Sequence, residues 1–243
     1  MKKLIIFIFS LLFFLGNIQA QFWMEAGVKG LYGTSIPFNS HTFNDSKSAL
    51  KITPDYAYGA KLAANFGDNN GVIVDGLFSQ SKASYTYDIA GGLTEGSHEL
   101  SWKNIDIYPM YRHYYERSFI EIGPKISLLQ NMTQTNVAFK GTDAKDFFNA
   151  FNYGASFGFG GYLIGSEYFS LSMNFRIDYQ ISDFISEKGK GANISYPLPF
   201  VVYDKYSKTT PISARAGLEL AFPIGGIAKA QCGRRVFFMG GNR

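Results

Sequence analysis

The sequence predicts an all-β protein: an eight-stranded antiparallel up-and-down transmembrane β-barrel. Three observations predict it. Apolar and polar side chains alternate with period two in eight segments of roughly ten residues. The connections between those segments alternate between short and long. Beyond the N-terminus, no stretch reaches the run of about eighteen apolar residues that a spanning helix needs. A chain of this kind enters lipid only as a closed barrel, which leaves no backbone group unpaired. The 23 Phe, 16 Tyr and 26 Gly among 243 residues favour strands and tight turns over helices.

Residues 1–20 read as a signal peptide and stand apart from the fold. Lys2 and Lys3 form a basic start, and the run from Leu4 to Leu15 is apolar except for Ser10. Ala20 ends the segment with the small residue that a signal peptidase favours, so Gln21 begins the mature chain. The alternative is an uncleaved anchor. Residues 21–222 form the barrel, and 223–243 a basic C-terminal tail.

The alternation is cleanest in 168–181. There Phe169, Leu171, Met173, Phe175, Ile177, Tyr179 and Ile181 point one way, and Ser170, Ser172, Asn174, Arg176, Asp178 and Gln180 the other. In chain order the other segments are 22–33, 54–66, 71–86, 101–112, 118–130, 151–163 and 211–222. Ile73 and Leu77 blur the pattern in the third strand. Residues 67–70, 113–117 and 164–167 read as short turns. Residues 34–53, 87–100, 131–150 and 182–210 read as long polar loops. Long loops at one end and short turns at the other are the pattern of an outer-membrane barrel.

The polar faces carry charges of both signs. Glu25, Asp75, Asp106, Glu121, Asp178 and Glu219 oppose Lys29, Lys61, Arg112, Lys125, Arg176 and Arg215. A narrow eight-stranded barrel fills its interior with side chains, so these charges are expected to pair in the lumen. A soluble β-sandwich or ligand-binding barrel would turn the same faces to water. Against it, a soluble ligand-binding barrel needs an apolar lumen, and here the apolar face is the one rich in aromatics. Phe22, Trp23, Phe66 and Phe222 fall near the short turns and Tyr56, Tyr58, Phe151 and Tyr153 near the long loops, as interfacial girdles do.

The segment Arg215-Ala-Gly217-Leu-Glu-Leu220-Ala-Phe222 is similar to the terminal-strand signal read by outer-membrane assembly machinery, through Arg215, Gly217, Leu220 and Phe222. On that motif and its strand pattern, the chain resembles the outer membrane protein β-barrel domain families, including small outer-membrane-protein-A-type and PorT-like barrels. The resemblance implies a bacterial outer-membrane location with periplasmic termini, and contacts with outer-membrane lipid and the assembly machinery. It also implies a non-enzymatic structural or interaction role, as an accessory subunit of an envelope or secretion complex. The tail departs from it, because most such barrels end at this strand.

Other chemistry is weakly signalled. The net charge of +4 gives no case for nucleic-acid binding, since Lys229, Arg234, Arg235 and Arg243 concentrate it in the tail. A lipid-modifying enzyme would need a His beside a Ser nucleophile and an orienting acid. Of the three histidines, His113 is expected in a short turn, and His41 and His98 in or beside long loops. Their spacing makes no metal motif, and no cofactor is implied. The single Cys232 allows no internal disulfide. In the tail, Pro223 and the following Gly pair are expected to break the last strand. Arg234, Arg235, Phe237 and Phe238 together suit docking to an envelope partner, as do the long loops.

Overall fold

The computed structural model describes residues 22–44, 48–67, 69–88, 95–136, 140–166, 168–191, 205–224 and 237–238. The expected signal peptide lies outside these residues, as do Arg234, Arg235 and most of the tail. Eight long strands follow one another: β1 (Phe22–Phe38), β2 (Pro54–Phe66), β3 (Asn70–Asp88), β4 (Glu95–Tyr115), β5 (Ser118–Thr135), β6 (Phe151–Gly165), β7 (Ser170–Gln180) and β8 (Thr210–Ile224). Each pairs antiparallel with the next. β8 then returns to β1 along a ladder from Met24 opposite Ile224 to Phe38 opposite Thr210, which closes the ring. The architecture is an all-β, antiparallel up-and-down sheet closed through eight strands.

Two of the short connections are tighter than expected, and the third shifts to 166–169. Gly67 (φ 64°) turns the chain between β2 and β3, and Glu116 (φ 51°) between β4 and β5. A left-handed residue suits Gly, whereas at Glu116 it costs about 1–2 kcal/mol. His113, expected in that turn, instead belongs to β4. Pro223 does not break the last strand. β8 continues to Ile224, and because the β7 ladder stops at Ala221, Pro223 sits where β8 has one neighbour.

The outer face carries an apolar belt with polar limits. On β3, Val72, Val74 and Phe78 lie between outward Asn70 and Gln80. On β4, Ile105, Ile107, Pro109 and Tyr111 lie between Lys103 and His113. On β5, Ile120, Ile122, Pro124, Ile126 and Leu128 lie between Ser118 and Gln130. Ten to twelve residues of tilted strand correspond to a height of about 25 Å. Phe22, Phe222 and Tyr115 are exposed near the short turns, and Tyr56, Tyr58 and Phe151 near the loops.

Ile73 and Leu77 blurred the third strand because they face inward, at 0% and 1% exposure. They pack with Leu31, Ala57, Ala63, Tyr108 and Met110 against one side of the lumen. Their strand neighbours Val72, Val74 and Phe78 face out, so the segment is apolar on both faces.

At the other end, the described parts of the expected long polar loops include built structure. β3, β4 and β5 rise well beyond the belt as a sheet. Its edges are the short ladders 48–51 against 84–87 and 142–143 against 133–134. The sheet's inner face holds Tyr85, Leu100, Trp102, Leu129 and Met132. Phe148, Phe184 and Ile185 from the two later loops close over it. The rings of Phe184 lie 5.6 Å from Trp102 and 4.9 Å from Phe148. Backbone bonds from Asn149 N–H to the Phe184 carbonyl (2.9 Å) and from Phe184 N–H to the Thr209 carbonyl (2.9 Å) pin the lid down. Polarity counted over whole loops hid these few apolar residues.

Phe184 is the lid's central contact, and truncating a buried Phe costs about 3–5 kcal/mol. Phe184→Ala should therefore speed amide exchange in 144–149 and 183–186 while the belt strands stay protected. Hydrogen exchange in detergent checks this; uniform loss of protection through β1–β8 would show that lid and barrel unfold as one.

Candidate functional site

The inward charges form the most distinctive side-chain cluster of the molecule. Every second residue on each strand points into the lumen, and the register decides which charges meet. Near the short turns, three cations converge on Glu219. Lys29 Nζ lies 3.0 Å from it, Lys61 Nζ 2.5 Å and Arg112 Nη2 2.8 Å. Lys29 also reaches Asp75 at 2.7 Å, and Lys61 reaches Glu25 at 3.1 Å. Arg112 Nε donates to Glu121 at 2.8 Å. Arg176 links Asp75 (2.7 Å) to Glu121 (2.9 Å).

A second layer sits toward the loops. Arg215 holds Asp55 through two parallel bonds of 2.7 and 2.9 Å and reaches Asp178 at 3.1 Å. Lys125 Nζ lies 3.4 Å from Asp178 and 3.6 Å from Asp106. Hydroxyls supply the remaining donors: Ser79 and Ser127 to Asp106, Ser81 to Asp55, and Ser156 and Ser213 to Asp178. Tyr108 joins the layers. Its hydroxyl donates to Asp178 at 3.0 Å, and the Arg176 guanidinium lies over its ring at 4.6 Å.

Arg176 and Arg215 are directly opposite each other on β7 and β8. Like charges in that position repel. The conflict is resolved by direction, because Arg176 turns to the carboxylates of one layer and Arg215 to those of the other.

All twelve charged residues singled out above lie in these two layers. The structure adds Asp55, which sits on the polar face of the second segment and is fully buried. Tyr108 and the partners of the serines were missed because single-strand alternation marks a face, and nothing in it identifies a partner. Of the assembly-signal residues, Arg215 and Gly217 face inward and Phe222 faces out. A side chain at Gly217 would collide with the Gly30 carbonyl oxygen and with Leu31.

Both ends of the lumen are closed. Near the short turns, the rings of Tyr114, Phe119 and Tyr162 pack together, with Phe119 and Tyr162 5.9 Å apart. The Arg112 guanidinium lies 4.0 Å over Phe119. At the loop end sits the apolar lid.

The histidines stand far apart. His113 faces outward at the belt's lower limit, with Nδ1 3.2 Å from Asn70 Oδ1. His41 lies in the short helix Ser40–Asn44. His98, expected in or beside a loop, is buried on β4 above the belt, opposite Tyr85. Among the described residues, no group of His, Cys, Asp or Glu is arranged to hold a metal ion. The backbone of Phe237–Phe238 pairs with Ile164 and Gly165 of β6.

No protein-family model matches the chain, and no curated protein matches it. Among solved structures, the attachment invasion locus protein Ail of Yersinia pestis, in complex with the heparin analogue sucrose octasulfate, is 11% identical. That match covers 82% of this chain and 99% of that one, with a TM-score of 0.34. The outer membrane protein OprG of Pseudomonas aeruginosa is also 11% identical, over 84% of this chain and 96% of that one, again with a TM-score of 0.34.

Two outcomes follow. Arg215→Met leaves the Asp55 carboxylate buried without its guanidinium, which should cost about 3–5 kcal/mol in refolded protein. Adding Asp55→Leu should recover most of it, because replacing both partners removes the buried charge. Urea titration in detergent checks the pair; a double variant no more stable than Arg215→Met would break the argument. Secondly, burial lowers the His98 pKa from 6.5 to about 4. Between those values the opened cap takes up a proton that the closed cap excludes. Cap stability is thus full above pH 6.5, falls as pH drops through the window, and levels off below about 4. Proteolysis of the cap across this range should show the fall in the wild type and a smaller one in His98→Phe.

Proposed function

We propose that this chain is a bacterial outer-membrane β-barrel with a non-enzymatic, structural or interaction role. The observation that carries the reading is the inversion of polarity. The outside is an apolar belt about 25 Å tall, and the inside is a paired charge network. A water-soluble β-barrel has no reason to turn Val28, Leu62, Phe78 and Ile122 outward, each between 55% and 60% exposed. In lipid that surface is matched, and closure of the ring satisfies the backbone.

The short turns and both termini are assigned to the periplasm and the capped end to the cell exterior. Long extensions face outward in barrels of this type. The filled lumen argues against transport of large solutes, so the working surfaces are the ends. The cap, built from the extended β3–β4–β5 sheet, its two edge ladders and a lid, offers a surface for a partner. On the family resemblance, that partner belongs to an envelope or secretion complex, and this chain is its accessory subunit. The rival, a lipid-modifying enzyme, needs a His within reach of a Ser nucleophile. The three histidines occupy a short helix, the cap interior and the lower rim.

Purified membranes should retain the protein through carbonate and high-salt washes, and unboiled samples should migrate differently from boiled ones. Release without detergent would sink the barrel reading. In planar bilayers, the purified protein should show no stable, high-conductance openings; such openings would show that the charge network leaves a water-filled path.

A further inference from the structure

β6 extends past its neighbour. The β5–β6 ladder ends where Ser118 faces Gly161, because β5 begins there, just after the turn at Glu116 and Arg117. One further bond, from Tyr162 N–H to the Arg117 carbonyl (2.8 Å), closes that end. Beyond it, Ile164 and Gly165 pair with β7 on one side. Their other side would be an open backbone edge at the rim of the belt, where unpaired groups are costly. The strand Phe237–Phe238 takes that place, with Phe237 opposite Gly165 and Phe238 opposite Ile164.

Antiparallel pairing also sets a direction. A ladder continued past Phe238 would run toward Leu163, where the β6–β7 register shifts, and would stop at Tyr162, whose N–H is already bound to the Arg117 carbonyl. At that point a groove of about 670 Å³ opens on the outer wall, lined by Tyr115, Arg117, Phe159, Gly161, Leu163 and Met173, with further residues of β7 and β8. Its floor is low at Gly161, where a Cβ would meet only the Arg117 carbonyl oxygen, at 3.3 Å. The backbone pairing of Phe237 and Phe238 with Gly165 and Ile164 thus ends beside an apolar groove, and the sequence that continues from it is apolar at Met239. The chain between Ile224 and Phe237 can span up to about 45 Å, while β8 and β6 are only about 10 Å apart.

We propose that the C-terminal segment from Phe237 onward is a latch that pairs with the free edge of β6 and seats in this groove. The tail then completes its own barrel's rim.

Crosslinking of the full chain in mild detergent tests this, in a Cys232→Ser background. Met239→Cys is combined with Leu163→Cys in the groove, or with Ala26→Cys on β1. Ala26 lies opposite Phe222, nearer the root of the tail. A latched tail should give roughly tenfold more linked peptide with position 163 than with position 26, because docking raises the local concentration there. Equal yields, or a preference for position 26, would mean that the tail is not held at β6. Gly161→Trp should fill the groove and reduce the yield at 163 to the control level in a barrel that still shows heat-modifiable migration, and Ala216→Phe should do the same from the opposite wall. An unchanged yield in both would show that the ladder alone holds the tail. Native mass spectrometry showing a phospholipid retained by the full chain and lost in Gly161→Trp would assign the groove to lipid and overturn the proposal.

Discussion

Charge pairing inside a space too narrow for bulk water is the constraint that most of this structure answers to. Seven acids and six bases converge there, and all but Lys125 are almost wholly buried. An isolated charge in such a place is prohibitively costly, and a pair is tolerable only if its geometry and remaining hydrogen bonds are good. The network meets that condition by sharing. Glu219 serves three cations, and Asp178 serves two cations, a tyrosine and two serines. Because each group has several partners drawn from different strands, the register of every ladder is tied to the others. A slip of one residue in any strand would turn its charges toward lipid and leave their partners unmatched.

The same constraint explains why some of the fold was legible in the sequence and some was not. Alternation marks faces, so β7 could be read residue by residue, and the twelve lumen charges were recognisable from composition and spacing alone. Partners depend on register and on depth along the barrel, which no single strand contains. Arg176 and Arg215 look equivalent in sequence, yet face opposite layers. Ile73 and Leu77 look like noise in the alternation, but they form an apolar patch beneath Met110 that needs no ion partner. The cap was illegible for another reason. Its core draws single residues such as Phe148 and Phe184 from polar segments, and packing over such sequence distances leaves no periodic signal.

Closure at both ends follows from the lumen as well. Water reaching the network would screen the pairs and compete for their donors. The ring cluster of Tyr114, Phe119 and Tyr162 excludes it at one end, and its π-face also accepts the Arg112 guanidinium. At the other end the lid of Phe184 and Ile185 does so with apolar side chains that a few backbone bonds hold in place. The two seals differ in what holds them. The aromatic seal is made of strand residues and shares the barrel's rigidity. The lid is made of loop residues on a separate core, so it can open without disturbing the ion pairs below.

That separation bears on how the molecule could act. A barrel whose centre is locked by interlinked charges has little freedom to change shape, so any response must arise at its ends. The cap has its own core, its own edge ladders at 48–51 and 142–143, and a buried histidine whose protonation opposes closure. The opposite rim has a strand edge that the chain covers with its own C-terminal residues. In both places a segment distant in sequence is held against the barrel, the lid by apolar side chains and backbone bonds and the C-terminal strand by a short backbone ladder. Contacts of that size are worth a few kcal/mol, enough to keep a segment in place and few enough for a partner to displace it. The rigid lumen therefore does for this chain what a bound scaffold does for a smaller one. It fixes the distance and orientation between the two ends.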